Sequence, residues 1–189
     1  MQHGITHRRS QPLIDFAYTF ASLAHEKQCR KYTGEPYIVH PVEVARIVAS
    51  ITDDCEMIAA AFLHDTIEDS YVSLDEIRQV GFGSTIARLV DELTDKSRPE
   101  DGNRAARKAI DRRNLANASA RAQTVKVADL ISNTRSIVEH DPKFAKVYLA
   151  EKAALLDVLT KADAGLLEQA RLQVQESLMI LEEENECQP

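Results

Sequence analysis

The sequence predicts an all-α protein, and three observations favour this class. Apolar residues recur at spacings of three and four along most of the 189-residue chain, as they do on the buried face of an amphipathic helix. No longer segment alternates apolar and polar residues as a half-exposed strand would. Capping residues and prolines stand where the periodic segments begin. The length favours one domain, a bundle of about eight to ten helices.

The first half of the chain is predicted to contain short helices separated by turns. The segment from Ser73 to Glu76 has the capping-box pattern, in which both side chains bond backbone N–H groups at a helix start. Residues 29–40 are predicted to be a loop, because Gly34 and Pro36 interrupt the helical pattern. The other predictions are a helix over residues 12–28, a helix beginning at Pro41, a helix from a cap at Asp53 or Asp54 to near His64, a turn over residues 65–71, and a helix from a cap at Ser84 to residue 93.

The second half is predicted to contain longer helices after a polar loop. Residues 95–102 contain Pro99 and Gly102 and form the best candidate for a flexible loop. A strongly basic stretch follows it. The acidic residues 183–189 are expected to fray. The predicted helices span residues 122–139, run from Pro142 to about residue 159, and span residues 164–182.

The charge, the apolar runs and the cysteines indicate in which compartment the protein works and which partners it lacks. The formal net charge is −7, from 23 basic and 30 acidic residues, which argues against a nucleic-acid binder. No apolar run approaches the length of a membrane span, and the polar first ten residues do not resemble a secretory signal. The three cysteines show no metal-ligand spacing: Cys29, Cys55 and Cys187. We therefore expect a cytoplasmic protein without nucleic-acid or membrane partners, and the oligomeric state stays open.

A possible metal site is indicated by histidines and acids that lie far apart in the sequence. His64 and Asp65 end an apolar helix, where the turning backbone can direct both side chains into a cleft; a solvated helix end is the alternative. His40 precedes the predicted helix start at Pro41. Asp129 lies in the apolar context of TVKVADLISN, where a carboxylate is costly unless it is paired or bound to a cation.

Three segments together resemble the hydrolase domain of RelA/SpoT homologues, which belong to the HD-domain phosphohydrolases. These segments are RKYTGEPYIVHP at residues 30–41, FLHDTIEDS at residues 62–70 and KVADLISN at residues 126–133. The likeness extends from about residue 15 to residue 159. One departure is Leu130, because relatives usually carry a basic residue immediately after the metal-binding aspartate.

The resemblance implies an HD-domain bundle around a metal-binding cleft. It also implies hydrolysis of the guanosine alarmones ppGpp and pppGpp at the 3′-diphosphate, which gives GDP or GTP and pyrophosphate. Only about thirty residues follow the match, so we expect a stand-alone small alarmone hydrolase without the synthetase domain of larger members. The alternatives are an HD phosphohydrolase for another nucleotide or dinucleotide phosphate, and a catalytically silent alarmone-binding module.

The resemblance further implies one bound Mn²⁺ ion with four ligands: His40, His64, Asp65 and Asp129. Two imidazoles and two carboxylates leave coordination positions open, which suits a hard six-coordinate ion such as Mn²⁺. Other divalent ions can bind the same donors, and zinc binds more tightly than manganese. The metal acquired in the cell therefore depends on availability.

Two acids and several basic or polar residues complete the predicted site. By resemblance, Glu68 activates the water and Asp69 assists near the leaving group. Asn133, one helical turn after Asp129, can hydrogen-bond the ribose or a phosphate. The remaining candidates for substrate contact have a structural alternative, either a solvated charge or core packing, and they are Arg30, Lys31, Arg104, Arg107, Lys108 and Tyr148.

Overall fold

The computed structural model describes the backbone of residues 6–186 and the side chains of residues 11–183. Cys187 and the last two residues of the predicted acidic tail lie outside the described backbone. Residues 183–186 belong to the last helix, so the predicted helix end at residue 182 was wrong. The chain divides into two compact units, Met1–Asp95 and Lys96–Pro189. Within residues 6–186 the regular structure is helical, which confirms the all-α class, and the extended pairing is an isolated antiparallel bridge between Cys29 and Pro36.

The first unit is organised around a short, mostly apolar helix. Every residue of this helix from Met57 to Leu63 is buried, as expected for a segment that is hydrophobic on all sides. It packs against the two helices before it and against the helix of residues 83–93. The helices of this unit are α1 (Thr6–Ala24), α2 (Val39–Ala49), α3 (Cys55–Leu63), α4 (Thr66–Asp69), α5 (Leu74–Ile77) and α6 (Gly83–Leu93), with a π-helical turn at Arg78–Phe82.

Two predicted helix starts in this unit are confirmed by their hydrogen bonds. The Asp54 carboxylate accepts from the N–H groups of Glu56 and Met57, at 3.1 Å each, and so caps α3. Ser73 and Glu76 form the predicted capping box at α5. Each cap satisfies N–H groups that have no partner within the helix.

Several predicted boundaries of the first unit were wrong. Helix α1 ends at residue 24, and residues 25–28 turn instead, with the Gln28 N–H donating to the His25 carbonyl. Helix α2 begins at Val39, so His40 lies in its first turn. The predicted turn over residues 65–71 contains α4. Ser84 lies inside α6, whose first residue, Gly83, has a φ of +79° that favours glycine.

The second unit is organised around its longest buried helix, α8. Ser119 caps this helix, so that it begins two residues before the predicted start. Pro142 opens α9, as predicted. Asp111 is buried and accepts the backbone N–H groups of residues 96 and 97, which fixes the beginning of the predicted flexible loop. The helices are α7 (Arg104–Asn117), α8 (Ala120–His140), α9 (Pro142–Leu156) and α10 (Ala164–Glu186), preceded by a 3₁₀ turn at Pro99–Asp101.

None of the helices within the described part of the chain is both long enough and apolar enough to cross a membrane.

Candidate active site

Three of the four predicted metal ligands meet in the first unit. His40 comes from the first turn of α2, and His64 and Asp65 from the end of α3. The Asp65 Oδ2 atom lies 3.0 Å from His64 Nε2 and 3.5 Å from His40 Nε2. One donor atom from each side chain lies within 4.8 Å of the others. Both imidazoles are buried, and the carboxylate is only 16% exposed, so this cluster has the geometry of a metal site.

The hydrogen bond of the His64 ring is compatible with a cation bound at this cluster. Its Nδ1 lies 2.8 Å from the carbonyl oxygen of Ala61. Because a carbonyl can only accept, Nδ1 carries a proton, and in a neutral imidazole Nε2 then directs its lone pair at the Asp65 carboxylate. A carboxylate oxygen 3.0 Å from Nε2 needs a positive charge, supplied by a proton on Nε2 or by a cation beside the pair. Histidine that donates one ring N–H to a carbonyl while its other nitrogen ligates a metal is a common arrangement, and the donor set fits a divalent ion.

Tyr37 joins this cluster, although it was not among the site residues predicted from the sequence. Its hydroxyl lies 2.7 Å from Asp65 Oδ2 and 3.1 Å from Asp69 Oδ2. Its ring contacts the ring of His40, with centroids 5.9 Å apart. The available signal was its position three residues before His40, since the His40 N–H donates to the Tyr37 carbonyl in the turn that starts α2.

The two predicted catalytic acids lie on α4, next to the ligand cluster. Glu68 Oε1 accepts the backbone N–H of Asp95 at 2.7 Å. The Asp69 side chain is exposed as a whole, but neighbouring groups partly enclose its carboxyl. This enclosure and the charge of Asp65 raise the pKa of Asp69, while the Tyr37 hydrogen bond and nearby histidines oppose the shift. A cleft of about 520 Å³ opens beside both acids.

Asp129 lies in the second unit, on α8, and is 5% exposed. Its Oδ1 accepts from Asn133 Nδ2 at 2.6 Å, and its Oδ2 lies 2.9 Å from Lys126 Nζ. The predicted sharing of one helix face by Asp129 and Asn133 is therefore confirmed. The ammonium of Lys126, three residues earlier, provides the pairing that a buried aspartate needs. Leu130, the departure from the family pattern, is buried in the core.

The basic residues of α7 have different partners. Arg104 donates two hydrogen bonds to Glu151, at 2.7 and 2.8 Å, and this pairing raises the pKa of Arg104. Lys108 Nζ lies 3.7 Å from Asp111. Among residues 11–183, no carboxylate lies within 4.0 Å of the Arg107 guanidinium.

The other predicted contact residues lie in two places. Arg30 and Lys31 lie on the loop before α2, where the Lys31 ammonium lies 4.6 Å from the centroid of the Tyr32 ring. Tyr148 on α9 is 5% exposed, and Lys152 lies 4.9 Å from its ring centroid. The burial of Tyr148 is also what the core-packing alternative expects.

An all-α fold in which a histidine and a His-Asp pair meet at the end of a buried helix defines the class of HD-domain proteins. Comparison of the sequence with protein families agrees, because the HD domain family matches residues 17–159. The chain belongs to this family.

Two named relatives are similar to this chain over about two thirds of its length. Human MESH1, named a guanosine-3′,5′-bis(diphosphate) 3′-pyrophosphohydrolase, is 40% identical over 132 residues, which are 67% of this chain and 70% of MESH1. A Synechocystis protein named a probable enzyme of the same activity is 38% identical over 134 residues, or 69% of this chain, but the match spans only 17% of that longer protein.

Two solved structures have a similar fold. One, described as a metazoan orthologue of SpoT that hydrolyses ppGpp, superposes with a TM-score of 0.75 and 27% identity, covering 88% of this chain and 94% of the other. A Listeria monocytogenes protein superposes with a TM-score of 0.63 and 23% identity, over 77% of this chain and 97% of the other, and shares the fold.

Proposed function

We propose that this chain hydrolyses ppGpp and pppGpp at the 3′-diphosphate, giving GDP or GTP and pyrophosphate. The observation that carries the proposal is the cluster of His40, His64 and Asp65, with the acids Glu68 and Asp69 one helical turn beyond it. The named activity of MESH1 and of the Synechocystis protein supports the choice of substrate. The partner is then a small nucleotide. A cytoplasmic location agrees with the free thiols of Cys29 and Cys55.

The proposal includes one divalent ion, manganese in the first instance. His40, His64 and Asp65 would hold it, with Asp129 as the fourth ligand. The burial of Asp129 and its hydrogen bond from Asn133 support this assignment, because both keep its carboxylate in one orientation. When bound, such an ion supplies Lewis acidity, which polarises the diphosphate and acidifies a neighbouring water.

The protein side chains would then move the protons. Glu68 accepts a proton from the attacking water, whose oxygen forms a new bond to the phosphorus attached to O3′. The bond from that phosphorus to O3′ breaks, and pyrophosphate leaves. Asp69 supplies the proton that O3′ needs, and the upward direction of its pKa shift, caused by burial and by the charge of Asp65, is the direction that a proton donor requires. Atoms and charge balance with one water consumed.

Positive charge must offset the anionic substrate in a chain of net charge −7. Arg30 and Lys31 are proposed to contact the phosphates from their loop, and Arg107 from α7. Lys108 and Arg104 belong to the same group, although acids already engage both of them. Asn133 and Tyr148 are proposed to contact the nucleotide, and this would add to their hydrogen-bonding and packing roles.

A nucleotide panel tests this proposal. The purified chain is incubated with Mn²⁺ and with ppGpp, pppGpp, cyclic dinucleotides and deoxynucleoside triphosphates, and products are separated by ion-exchange chromatography. Release of intact pyrophosphate together with GDP supports the proposal. Turnover of another nucleotide in preference to ppGpp would replace the substrate. Tight ppGpp binding without turnover, at full metal occupancy, would indicate a silent binding module.

A further inference from the structure

The Tyr37 hydroxyl stands between two carboxylates with one hydrogen to donate. It lies 2.7 Å from Asp65 Oδ2 and 3.1 Å from Asp69 Oδ2. The shorter contact is to the residue of the metal cluster, and the longer one is to the second acid of α4. The Tyr37 hydroxyl therefore links Asp65, the proposed metal ligand, to Asp69, the proposed proton donor.

The surrounding loop holds the Tyr37 ring in place. Its ring lies against the buried ring of His25, with centroids 4.8 Å apart. Its N–H donates to the Gln28 carbonyl at 2.9 Å, next to the bridge that joins Cys29 and Pro36. The Gln28 side chain in turn donates to the Asp69 carbonyl oxygen. His25 is itself 2% exposed, so the Tyr37 ring packs against a buried side chain.

We propose that Tyr37 is a positioning residue for the metal site. Its hydrogen bond fixes the rotation of the Asp65 carboxylate, so that Oδ2 stays directed at the histidine nitrogens. The same hydroxyl keeps the Asp69 carboxyl at a set distance from this ligand. The inference rests on the proposed function, because it takes Asp65 to be a ligand.

The expected size of the effect follows from the behaviour of hydrogen bonds to metal ligands. Removing a side chain that orients a ligand costs about 10–100-fold in metal affinity or activity. Tyr37→Phe keeps the ring and its contact with His25 while removing the hydroxyl. The variant should therefore bind Mn²⁺ about 10–100-fold more weakly. At saturating metal the KM of this variant for ppGpp should change little, because the hydroxyl does not belong to the proposed substrate contacts. Its kcat should fall, because the Asp65 carboxylate is no longer held in one orientation.

Tyr18→Phe is the matched control. Tyr18 also lies in the first unit and its ring also meets another ring, that of Phe62, with centroids 5.9 Å apart. It is 45% exposed and lies on α1, and among the described residues its hydroxyl makes no hydrogen bond to His40, His64 or Asp65. The same atom is removed in both variants, so Tyr18→Phe should bind Mn²⁺ as the unchanged chain does.

The experiment measures Mn²⁺ binding to the full chain without nucleotide, by calorimetry and by the paramagnetic resonance of free Mn²⁺. A fall in affinity of at least tenfold in Tyr37→Phe but not in Tyr18→Phe supports the inference. Equal affinities in the two variants would overturn it while leaving the proposed function intact. Failure of the unchanged chain to bind Mn²⁺ or to hydrolyse ppGpp would instead overturn the proposed function.

A second variant keeps the inference testable if Tyr37→Phe unfolds. In Asp69→Asn the charge of the second acceptor is lost, so the Tyr37 hydrogen is donated mainly to Asp65. Mn²⁺ affinity should then stay within about threefold of the unchanged chain while kcat falls. A tenfold loss of Mn²⁺ affinity in Asp69→Asn would show that Asp69, and not the hydroxyl, positions the ligand.

Discussion

The substitution Glu68→Gln separates the chemical role of this residue from its structural role. In the structure Glu68 Oε1 accepts the backbone N–H of Asp95 at 2.7 Å. A glutamine places an amide oxygen at the same position and can accept the same hydrogen bond. It cannot accept a proton from water at neutral pH. The variant should therefore fold as the unchanged chain does and fail at the chemical step.

The magnitude follows from the removal of a general base. Such a group contributes about 10²–10⁴-fold to the rate, which corresponds to about 3–5 kcal/mol of activation free energy. The hydrogen bond to Asp95 is at the surface and contributes about 1 kcal/mol to stability, and the glutamine preserves it. We expect kcat to fall by at least a hundredfold, with a midpoint of thermal unfolding that barely changes.

The assay measures pyrophosphate release from ppGpp at saturating Mn²⁺, with bound metal determined on the same sample. Glu100→Gln is the matched control. Glu100 is an exposed acid on the 3₁₀ turn, and its substitution makes the same chemical change outside the site. Metal content should stay near one ion per chain in both variants. A Glu68→Gln variant that keeps kcat within tenfold of the unchanged chain, at full metal occupancy, would refute the role of Glu68 as the base.

Three further predictions concern the phosphate contacts and the stability of the fold. Arg107→Ala should raise KM for ppGpp more than Arg104→Ala does, because a carboxylate already holds Arg104 through two hydrogen bonds; steady-state kinetics of the two variants would contradict this if the order were reversed. Asp111→Ala should lower the free energy of unfolding by about 1–3 kcal/mol in urea denaturation, because two backbone N–H groups lose a buried acceptor. The exposed Asp75→Ala, which breaks only a surface ion pair, serves as its control, and equal losses would remove the anchoring role. Hydrogen bonds from the backbone and side chain of residue 73 lower the pKa of Glu76, so the ionised form stabilises the folded state above the ordinary glutamate pKa, and this contribution disappears as the pH falls through the folded value. The stability difference between the unchanged chain and Glu76→Gln should therefore shrink in acid, and a difference that is constant with pH would contradict the capping-box assignment.

Helix N-termini that carry a local chemical signature could be predicted from the sequence. The Ser73 capping box and Pro142 each act through hydrogen bonds or a fixed φ angle within a few residues, so the sequence alone specifies them. The cap of α3 was predicted as Asp53 or Asp54, and the structure shows that it is Asp54. The start of α2 and the short helix α4 could not be predicted in the same way. In α4, Thr66 donates its hydroxyl hydrogen back to the Leu63 carbonyl at 2.7 Å, and this continues the helical course beyond the His-Asp pair.

The residues of the candidate site also divide into those that the sequence could identify and those that only the structure shows. The ligand residues could be named because histidine and aspartate are rare in apolar segments and matched a family pattern. Tyr37 was not named, although it lies in a segment that matched the family, because its role depends on contacts with Asp65 and Asp69, which are distant in sequence. Lys126 was missed for a different reason: its spacing of three residues from Asp129 already places the two on one helix face, but a lysine on a helix is commonly a solvated charge.

Metal-dependent turnover of ppGpp by the full chain is the most direct test of the proposed metal centre. Chelator-treated protein is titrated with Mn²⁺ while GDP and pyrophosphate are quantified. We expect no turnover before metal is added, saturation near one ion per chain, and GDP and intact pyrophosphate in equal amounts. The His64→Ala variant should stay inactive throughout the titration. Turnover that persists in chelator, or that survives the loss of His64, would contradict the claim that these side chains form a metal centre for alarmone hydrolysis.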